Sequence, residues 1–578
     1  MTVLLDQAPS AVHPPAPVAT GAARSRRPHV AALAAYVVLG LVVMGNFLGD
    51  PGALVSSHLP ADHTWFEWLL AHGAHFLAHG GNPLFSTTQN VPYGVNMMAN
   101  TSVLGVTVPL APLTMLLGVR VTYLVWMIAA CAGTAATTYW VLQRIVVRSR
   151  AAAFAGGALA GFAPGVVHHA NGQPNFVSNF LLPLIVAAVF RLGAGGRWRR
   201  DGVVLGLLVT WQLFINEELL LVTALACGLG VVLYAVLRPS AARQRAAGFL
   251  RALGTTAVVA GVLCAYPIWF QFCGPQSFAG MPAFTGWGED PVTYLTFARD
   301  TLAGGPQAEA TQGRTEQNSW YGWPLTLLII GLVAALWRRS VASRVAGGIA
   351  VVFAVLSLGP VVRFGGVETG SRGPLAHLPE GVPIIDLLMP SRLTYAVTGA
   401  AVLLVALAWD RLRPARLLIP AALLPLLPTP LPAMPDRPAP AFVTGGEWRQ
   451  YLRPGGTLVP VPLPSNWIGR ETLSWSAQAR QEFTVPEGYF LGPDPDGKGH
   501  MGTRHTSRTT QLITGTLTSG TAPSLSDGDR AAVRADVTRW HGEAVVMRAE
   551  PGNEPLRELV SQVYGPALTV SDVWLWRP

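Results

Sequence analysis

Long apolar runs alternate with short clusters of arginine along the first three quarters of the chain, and this pattern limits what it can fold into. The run 29–48 is about 20 residues, the length that crosses a bilayer as a helix. Six clusters hold 20 of the 27 basic residues found before position 443, with Asp201 and Asp410 as the acidic residues among them. The arginines of these clusters are Arg24, Arg26, Arg27, Arg144, Arg148, Arg150, Arg191, Arg197, Arg199, Arg200, Arg238, Arg243, Arg245, Arg251, Arg338, Arg339, Arg344, Arg411, Arg413 and Arg416. Basic loops between apolar segments indicate the cytoplasmic side of a membrane protein.

Composition supports the same class of protein. Of the 578 residues 51% are hydrophobic and only 12% are charged, against about 25% charged in an average soluble chain, and the mean hydropathy is +0.38. These values exclude a disordered protein, a disulfide scaffold and an ordinary cytosolic enzyme. The net charge of +9 comes from the apolar part of the chain. A nucleic-acid-binding module would need a basic face with interleaved aromatic residues, and the sequence shows no such pattern. We therefore expect no nucleic-acid partner.

The fold class predicted is mainly α, a polytopic transmembrane helix bundle of about 11 spans. The first helix is expected to keep its N-terminus inside, which places an external loop at 49–120. Within that loop, Pro109 and Pro112 interrupt the apolar stretch 103–118, which we interpret as re-entrant or interfacial. The other predicted spans are 121–143, 151–168, 177–193, 202–216, 219–237, 252–272, 321–337, 345–360, 393–409 and 416–432.

Three regions are expected from the composition along the chain. Residues 1–28 are predicted to be a disordered cytoplasmic tail and 29–432 the transmembrane domain. Residues 433–578 are predicted to be a Pro-rich linker and a soluble extracytoplasmic α/β domain. The predicted strands in that domain are Thr457–Val461, Ala544–Met547 and Val573–Trp576, and the predicted helices are Asp529–Trp540 and Glu554–Val563.

The first external loop contains the first candidate site residues. Asp62 and His63 come just before an aromatic run, Trp65, Phe66 and Trp68. One interpretation is that Asp62 caps an amphipathic interfacial helix. The other is that its carboxylate belongs to a catalytic site on the outer side of the membrane.

Further candidates lie at the outer ends of other spans. His168 and His169 follow the third span, where polar residues could also form a simple loop. Glu217 and Glu218 interrupt an apolar stretch near the outer boundary, where a carboxylate is costly and is a functional candidate, although a solvated turn is the alternative. Arg392 enters the tenth span from the same side and suits a phosphate anion. Its alternative role is a structural ion pair.

With these motifs the chain resembles the GT-C superfamily of polytopic glycosyltransferases. The resemblance rests on the long first external loop with an early acidic residue, and on four local sequences. These are Asn-Pro-Leu-Phe at 82–85, Pro-Tyr-Gly-Val-Asn at 92–96, the stretch Gln212 to Glu218, and Pro-Ser-Arg392. It implies a bacterial plasma-membrane enzyme that transfers a hexosyl or pentosyl group from a polyprenyl-phosphate donor to an extracytoplasmic acceptor.

The resemblance also implies roles for the candidate residues. Asp62 and Glu217 are expected to be catalytic, Asp62 as the base. His63, His168, His169, Glu218 and Arg392 are expected to bind substrate, with Arg392 holding the phosphate. A divalent cation such as Mg or Mn is an open possibility, because His63 follows Asp62 where a second acid would be usual. The partners implied are the lipid-linked sugar and membrane lipid.

Two other classes of function fit the same pattern. A transporter or lipid flippase would use the same outer ring of polar residues to bind and move its substrate. A non-catalytic protein of envelope assembly would use the C-terminal domain as an interaction module. Consumption of a polyprenyl-phosphate sugar distinguishes the enzyme from both.

Overall fold

Apolar helices make up most of the protein, and a smaller mixed region follows them. The computed structural model describes residues 27–194, 197–281, 286–305, 316–377, 388–464 and 469–578; most of the predicted tail 1–28 lies outside these residues. The helices before position 430 are α1 Arg27–Val43, α2 Pro60–His79, α3 Leu104–Val141, α4 Arg150–Phe162, α5 Pro164–His169, α6 Pro174–Val177, α7 Leu182–Leu192, α8 Trp198–Leu213, α9 Glu217–Leu237, α10 Pro239–Cys273, α11 Gly322–Leu336, α12 Val341–Leu356, α13 Thr394–Arg411 and α14 Ala415–Leu423.

A kink divides α3 close to the boundary that the sequence predicted. Gly118 has φ 79° and ψ 169°, so the helix is interrupted there, and glycine adopts such a conformation without steric cost. The segments before and after Gly118 correspond to the predicted interfacial stretch 103–118 and the predicted span 121–143. Pro109 and Pro112 lie in the first segment, within the helix.

The long apolar helices differ in how deeply they are packed. About two thirds of the apolar window in Pro390–Arg411 is buried inside the protein, against 11% in Glu217–Leu237 and 17% in Pro239–Cys273. The central helices α3, α4 and α13 share one hydrophobic core. Exposed side chains such as Val236 and Val262 leave α9 and α10 with apolar outer faces, which suit contact with lipid.

The predicted count of about 11 spans is not confirmed. Within the described residues, four helical segments are long and apolar enough to cross a membrane: Leu104–Val146, Glu217–Leu237, Pro239–Cys273 and Pro390–Arg411. Five shorter apolar helical segments accompany them: Arg27–Val43, Leu182–Leu192, Gly322–Leu336, Val341–Leu356 and Ala415–Leu426.

The last predicted span, 416–432, is longer than the α-helix that the structure has there. Its α-helix, α14, has nine residues and ends at Leu423, because prolines at 425, 428 and 430 cannot donate the hydrogen bonds that would extend it. The chain then forms strand β6 (Ala433–Pro435), which pairs antiparallel with β1 (Leu54–Ser56) of the first external loop. The predicted linker is thus held against that loop.

A four-stranded sheet forms the centre of the C-terminal region. Its strands run in the order β11-β12-β10-β7, with β7 parallel to β10 and the other neighbours antiparallel. Strands β7 and β12 have the bounds expected from the sequence. The strands are β7 Thr457–Val461, β10 Gly542–Arg548, β11 Leu568–Val570 and β12 Val573–Trp576, and the α-helices of the region are α15 Ala441–Thr444, α16 Arg470–Gln478, α17 Arg508–Ser519, α18 Asp527–Arg539 and α19 Glu554–Tyr564.

Short two-stranded pairs lie between these larger elements. Strand β2 (Phe85–Ser86) pairs with β3 (Val95–Asn96) in the first external loop, and β4 (Val361–Phe364) pairs with β5 (Val367–Arg372). In the C-terminal region, β8 (Leu491–Pro493) pairs with β9 (Gly499–Met501).

Hydrogen bonds join the C-terminal region to the first external loop. The backbone N–H of Val485 donates to the carbonyl of Thr88 at 3.0 Å, and the N–H of Asn90 donates to the carbonyl of Glu487 at 2.7 Å. The loop and the C-terminal region therefore lie on the same side of the helix bundle, where the candidate residues collect.

Candidate active site

Asp62 lies in the first turn of α2, with its carboxylate held by two donors. Helix α2 begins with Pro60 at its first position, and Leu59 is the N-cap, without a side-chain cap. The Tyr489 hydroxyl donates to Oδ1 of Asp62 at 2.5 Å, and Nε2 of Gln173 donates to Oδ2 at 2.7 Å. Asp62 is therefore not the N-cap that the first interpretation proposed, and its carboxylate faces other parts of the chain.

Burial raises the pKa of Asp62 above its ordinary value. The hydrogen bonds from Tyr489 and Gln173 and the charge of Arg392 oppose this rise without cancelling it. A carboxylate with a raised pKa accepts a proton more readily than an exposed one.

Gln173 connects Asp62 to His169. Its Oε1 lies 2.6 Å from Nδ1 of His169, and the other ring nitrogen, Nε2, lies 3.2 Å from Oδ1 of Asn318 and 3.5 Å from Oε2 of Glu316. His169 is completely buried, and its pKa is lowered by that burial although the Glu316 charge opposes the change. The ring bridges two parts of the site.

Arg392 forms the charged centre of the site. Its Nε and Nη2 donate to Oε2 and Oε1 of Glu316 at 2.8 and 2.6 Å, and its Nη1 donates to Oε2 of Glu218 at 2.6 Å. The guanidinium also lies 4.1 Å from the ring centroid of Phe176, a distance at which cations are attracted to aromatic faces. One arginine thus gathers two carboxylates from distant parts of the chain.

Glu316 stays ionised in this arrangement. Burial alone would raise its pKa, but the charge of Arg392, together with the neighbouring His169 and the hydrogen bonds from Arg392, outweighs burial and brings the pKa to about 2. Glu218 pairs with the same guanidinium, so two carboxyl groups already use part of Arg392. A further anion near Arg392 therefore has to use the N–H groups that these carboxyl groups leave.

Of the other residues predicted to belong to the site, some lie close to Arg392 and others lie apart from it. Glu218 and His169 join Arg392, and His168 lies beside His169 with ring centroids 5.6 Å apart. Glu217 instead accepts a hydrogen bond from Gln271 of α10 at 2.8 Å.

His63 is also placed apart from the Asp62 carboxylate. Its Nδ1 accepts from the backbone N–H of Ser56 at 3.2 Å, its ring stacks on Tyr123 at 3.9 Å, and its Nε2 lies 3.4 Å from Glu67. These contacts bury His63 between α2 and α3. The structure does not bring it together with the substrate-binding residues predicted beside it.

Sequence reasoning did not single out Tyr489, Glu316 or the role of Gln173. Glu316 comes just before the predicted span 321–337, at the same side as Arg392, so its position in the pattern was a usable signal. Gln173 lies in the polar stretch around His169 and was visible there. Tyr489 has no such signal, because it lies far along the chain in a segment without periodicity.

The donor set does not fit a metal ion. Both Asp62 oxygens accept hydrogen bonds, and Glu218 and Glu316 are paired with Arg392. Among the residues that the structure describes, no group of three or more His, Cys, Asp or Glu side chains is arranged to hold a metal.

Comparison with known proteins adds the class of fold. No family model matches the chain, and no curated protein matches it. Among solved structures, it is similar to arabinofuranosyltransferase AftD from Mycobacteria (mutant R1389S, class 2), with a TM-score of 0.57 and 15% identity over 96% of this chain and 42% of that one. A weaker similarity, to the oligosaccharyltransferase of Archaeoglobus fulgidus in its apo form, has a TM-score of 0.49 and 10% identity over 93% and 71% of the two chains.

The chain therefore has the fold of the GT-C glycosyltransferases, as the sequence motifs indicated. Its long apolar helices make it a membrane protein of that fold class. It spans less than half the length of the arabinofuranosyltransferase.

Proposed function

We propose that the protein is a membrane glycosyltransferase that moves a sugar from a polyprenyl-phosphate donor to an extracytoplasmic acceptor. The observation that carries the proposal is the Asp62 carboxylate, held by Tyr489 and Gln173 in a protein with a GT-C fold, where Gln173 also links it through His169 to the Glu316–Arg392 pair. We further propose that the protein lies in a bacterial plasma membrane with its N-terminus inside and residues 433–578 outside.

The proposed reaction uses Asp62 as the base. The acceptor hydroxyl oxygen attacks the anomeric carbon of the donor sugar, and its proton passes to Asp62. The bond from the anomeric carbon to the phosphate oxygen breaks, and its electron pair leaves with polyprenyl phosphate. General bases of this kind contribute about 10²- to 10⁴-fold to a rate.

Arg392 is proposed to meet the departing phosphate. A guanidinium has five N–H donors, and the hydrogen bonds to Glu218 and Glu316 use three of them. Among the described residues, no other hydrogen bond engages the remaining N–H groups on Nη1 and Nη2, and we propose that they pair with a phosphate oxygen. Glu217, the other residue expected to be catalytic, contacts Gln271, and we assign the support of Asp62 to Gln173 instead, because Gln173 donates to its carboxylate.

The test is transfer by purified protein in lipid vesicles. Radiolabelled polyprenyl-phosphate pentoses and hexoses are supplied as donors with cell-envelope glycan and lipid fractions as acceptors, and labelled product is measured. Asp62→Asn should lower the rate at least about 100-fold. Asp50→Asn is the matched control, because Asp50 is exposed in the same loop and its carboxylate accepts only the Gly52 N–H among the described hydrogen bonds.

Full transfer by folded, inserted Asp62→Asn protein would remove Asp62 from the mechanism. Failure of the wild-type protein to consume any of these donors, with the lipid-linked sugar moved across the vesicle membrane instead, would replace the enzyme with a transporter.

A further inference from the structure

Tyr489 connects the C-terminal region to the site. It lies between α16 and β8, its side chain is nearly buried, and its ring packs edge-on against Trp65 of α2 at 6.4 Å between centroids. Its hydroxyl donates to Asp62 across a separation of 427 residues. Two residues so far apart in sequence stay in contact only if both chain segments are held in place by other contacts.

The chain on either side of Tyr489 is fixed to the first external loop. Before it, the carbonyl of Glu487 accepts the N–H of Asn90 at 2.7 Å. After it, the N–H of Leu491 donates to Oδ1 of Asn100 at 2.6 Å, and Nδ2 of Asn100 donates back to the carbonyl of Leu491 at 2.8 Å. Tyr489 is therefore held between two anchors.

Gly488 allows this segment to approach the loop. Its φ is 157°, and a Cβ at this position would lie 2.0 Å from Oε1 of Gln89, which is itself completely buried. Only glycine leaves space for Gln89 here. The glycine at position 488 thus lets the chain pass close to the loop, so that the next residue, Tyr489, contacts Asp62.

The hydroxyl of Tyr489 remains a donor at physiological pH. Burial raises its pKa, and the negative charge of Asp62 raises it further. A neutral phenol that donates to a carboxylate stabilises the ionised form of that carboxylate and orients it.

We propose that Tyr489 is a positioning residue for the transfer reaction, whose hydroxyl fixes the direction of the Asp62 carboxylate so that its unused lone pairs meet the acceptor. The C-terminal region then completes the site contributed by the first external loop. This inference rests on the proposed function, in which Asp62 is the base.

Removal of the hydroxyl tests the role in transfer. In Tyr489→Phe we expect kcat to fall about 10- to 100-fold with the donor KM unchanged, since a hydrogen bond to a charged group is worth about that factor. The acid limb of the pH profile should move upward by about one pH unit, because Asp62 loses a stabilising donor. Tyr451→Phe is the matched control, since Tyr451 lies in the same region and its ring packs on Phe442.

A second variant changes the strength of the hydrogen bond with little change in shape. Incorporation of 3,5-difluorotyrosine at position 489 makes the hydroxyl a stronger donor, so the acid limb should move to lower pH. Opposite movements for Tyr489→Phe and the fluorinated residue support positioning. A loss of activity in both variants with an unmoved acid limb would overturn it.

An infrared measurement separates this inference from the proposed function. The C=O band of protonated Asp62, assigned by its loss in Asp62→Asn, is titrated in the wild type and in Tyr489→Phe without any sugar present. A higher midpoint in Tyr489→Phe supports the contact even if no donor is ever consumed, in which case the transferase proposal alone fails. An equal midpoint overturns the role of Tyr489 whether or not transfer occurs.

Discussion

Arg392 holds both carboxylate oxygens of Glu316, through Nε at 2.8 Å and Nη2 at 2.6 Å. The two side chains are largely shielded from solvent, with exposed fractions of 11% and 9%. This bidentate geometry is specific to arginine. It organises the site because the same guanidinium also binds Glu218.

Loss of Arg392 should destabilise the protein. Arg392→Met leaves the largely shielded carboxyl groups of Glu218 and Glu316 without their partner, and breaking a fully buried pair in this way costs about 3–5 kcal/mol, which is the upper bound here. We expect a lower thermal midpoint of the purified protein in detergent. The triple variant Arg392→Met, Glu218→Gln, Glu316→Gln should recover much of the loss, and a triple variant no more stable than Arg392→Met would contradict this account.

The ion pair between Arg392 and Glu316 should make the stability of the protein depend on pH. The folded pKa of Glu316 is about 2, below the value of about 4.3 for an unperturbed glutamate, so its stabilisation is complete above the unfolded value and is lost as the pH falls through the folded one. The stability advantage of the wild type over Glu316→Gln should therefore shrink between pH 4.3 and pH 2. Thermal midpoints across this range measure it, and a constant difference would argue against the pairing.

Transfer activity should depend on the raised pKa of Asp62. Because a base works only when ionised, kcat should fall as the pH drops through a value above the ordinary aspartate pKa of about 3.9. A pH–rate profile measures this limb. An acid limb at or below the ordinary value would mean that burial does not control Asp62.

Packing between α3 and α4 depends on Gly161. A Cβ there would lie 2.6 Å from the carbonyl oxygen of Cys131 and 2.7 Å from Cβ of Ala135, so Gly161→Ala should cost about 1–3 kcal/mol. Gly228→Ala in α9 is the control, since a Cβ at Gly228 meets no atom within 4 Å. Thermal midpoints should fall for the first variant and stay level or rise for the second.

The proposed topology places Arg453 outside and Arg413 inside. Both residues are exposed, so cysteine at either position is open to labelling once the four native cysteines are replaced. A membrane-impermeant maleimide should label Arg453→Cys in intact cells and Arg413→Cys only after permeabilisation. The reverse pattern would invert the topology.

Local patterns in the sequence predicted the helices better than their connections. Hydropathy located α9, α11 and α13 closely, because an apolar helix is defined by its own residues. The last predicted span was too long, because the prolines after Leu423 end its helix. The pairing of β1 with β6 could not be predicted, since it depends on two short segments distant in sequence.

The site residues that could be predicted from the sequence are charged residues, because charge is scarce in the apolar part of the chain. Asp62, Glu218 and Arg392 stood out as charges beside apolar runs, and the last two lie in direct contact. Tyr489 did not stand out, because an aromatic residue in a mixed region is common and its role comes only from tertiary contact.

The two donors to Asp62 follow it in the chain by 111 and 427 residues. During synthesis Asp62 is therefore made early and lacks these two partners until most of the remaining chain has been made. Under the proposed mechanism, the base would be complete only after the C-terminal region has folded against the first external loop.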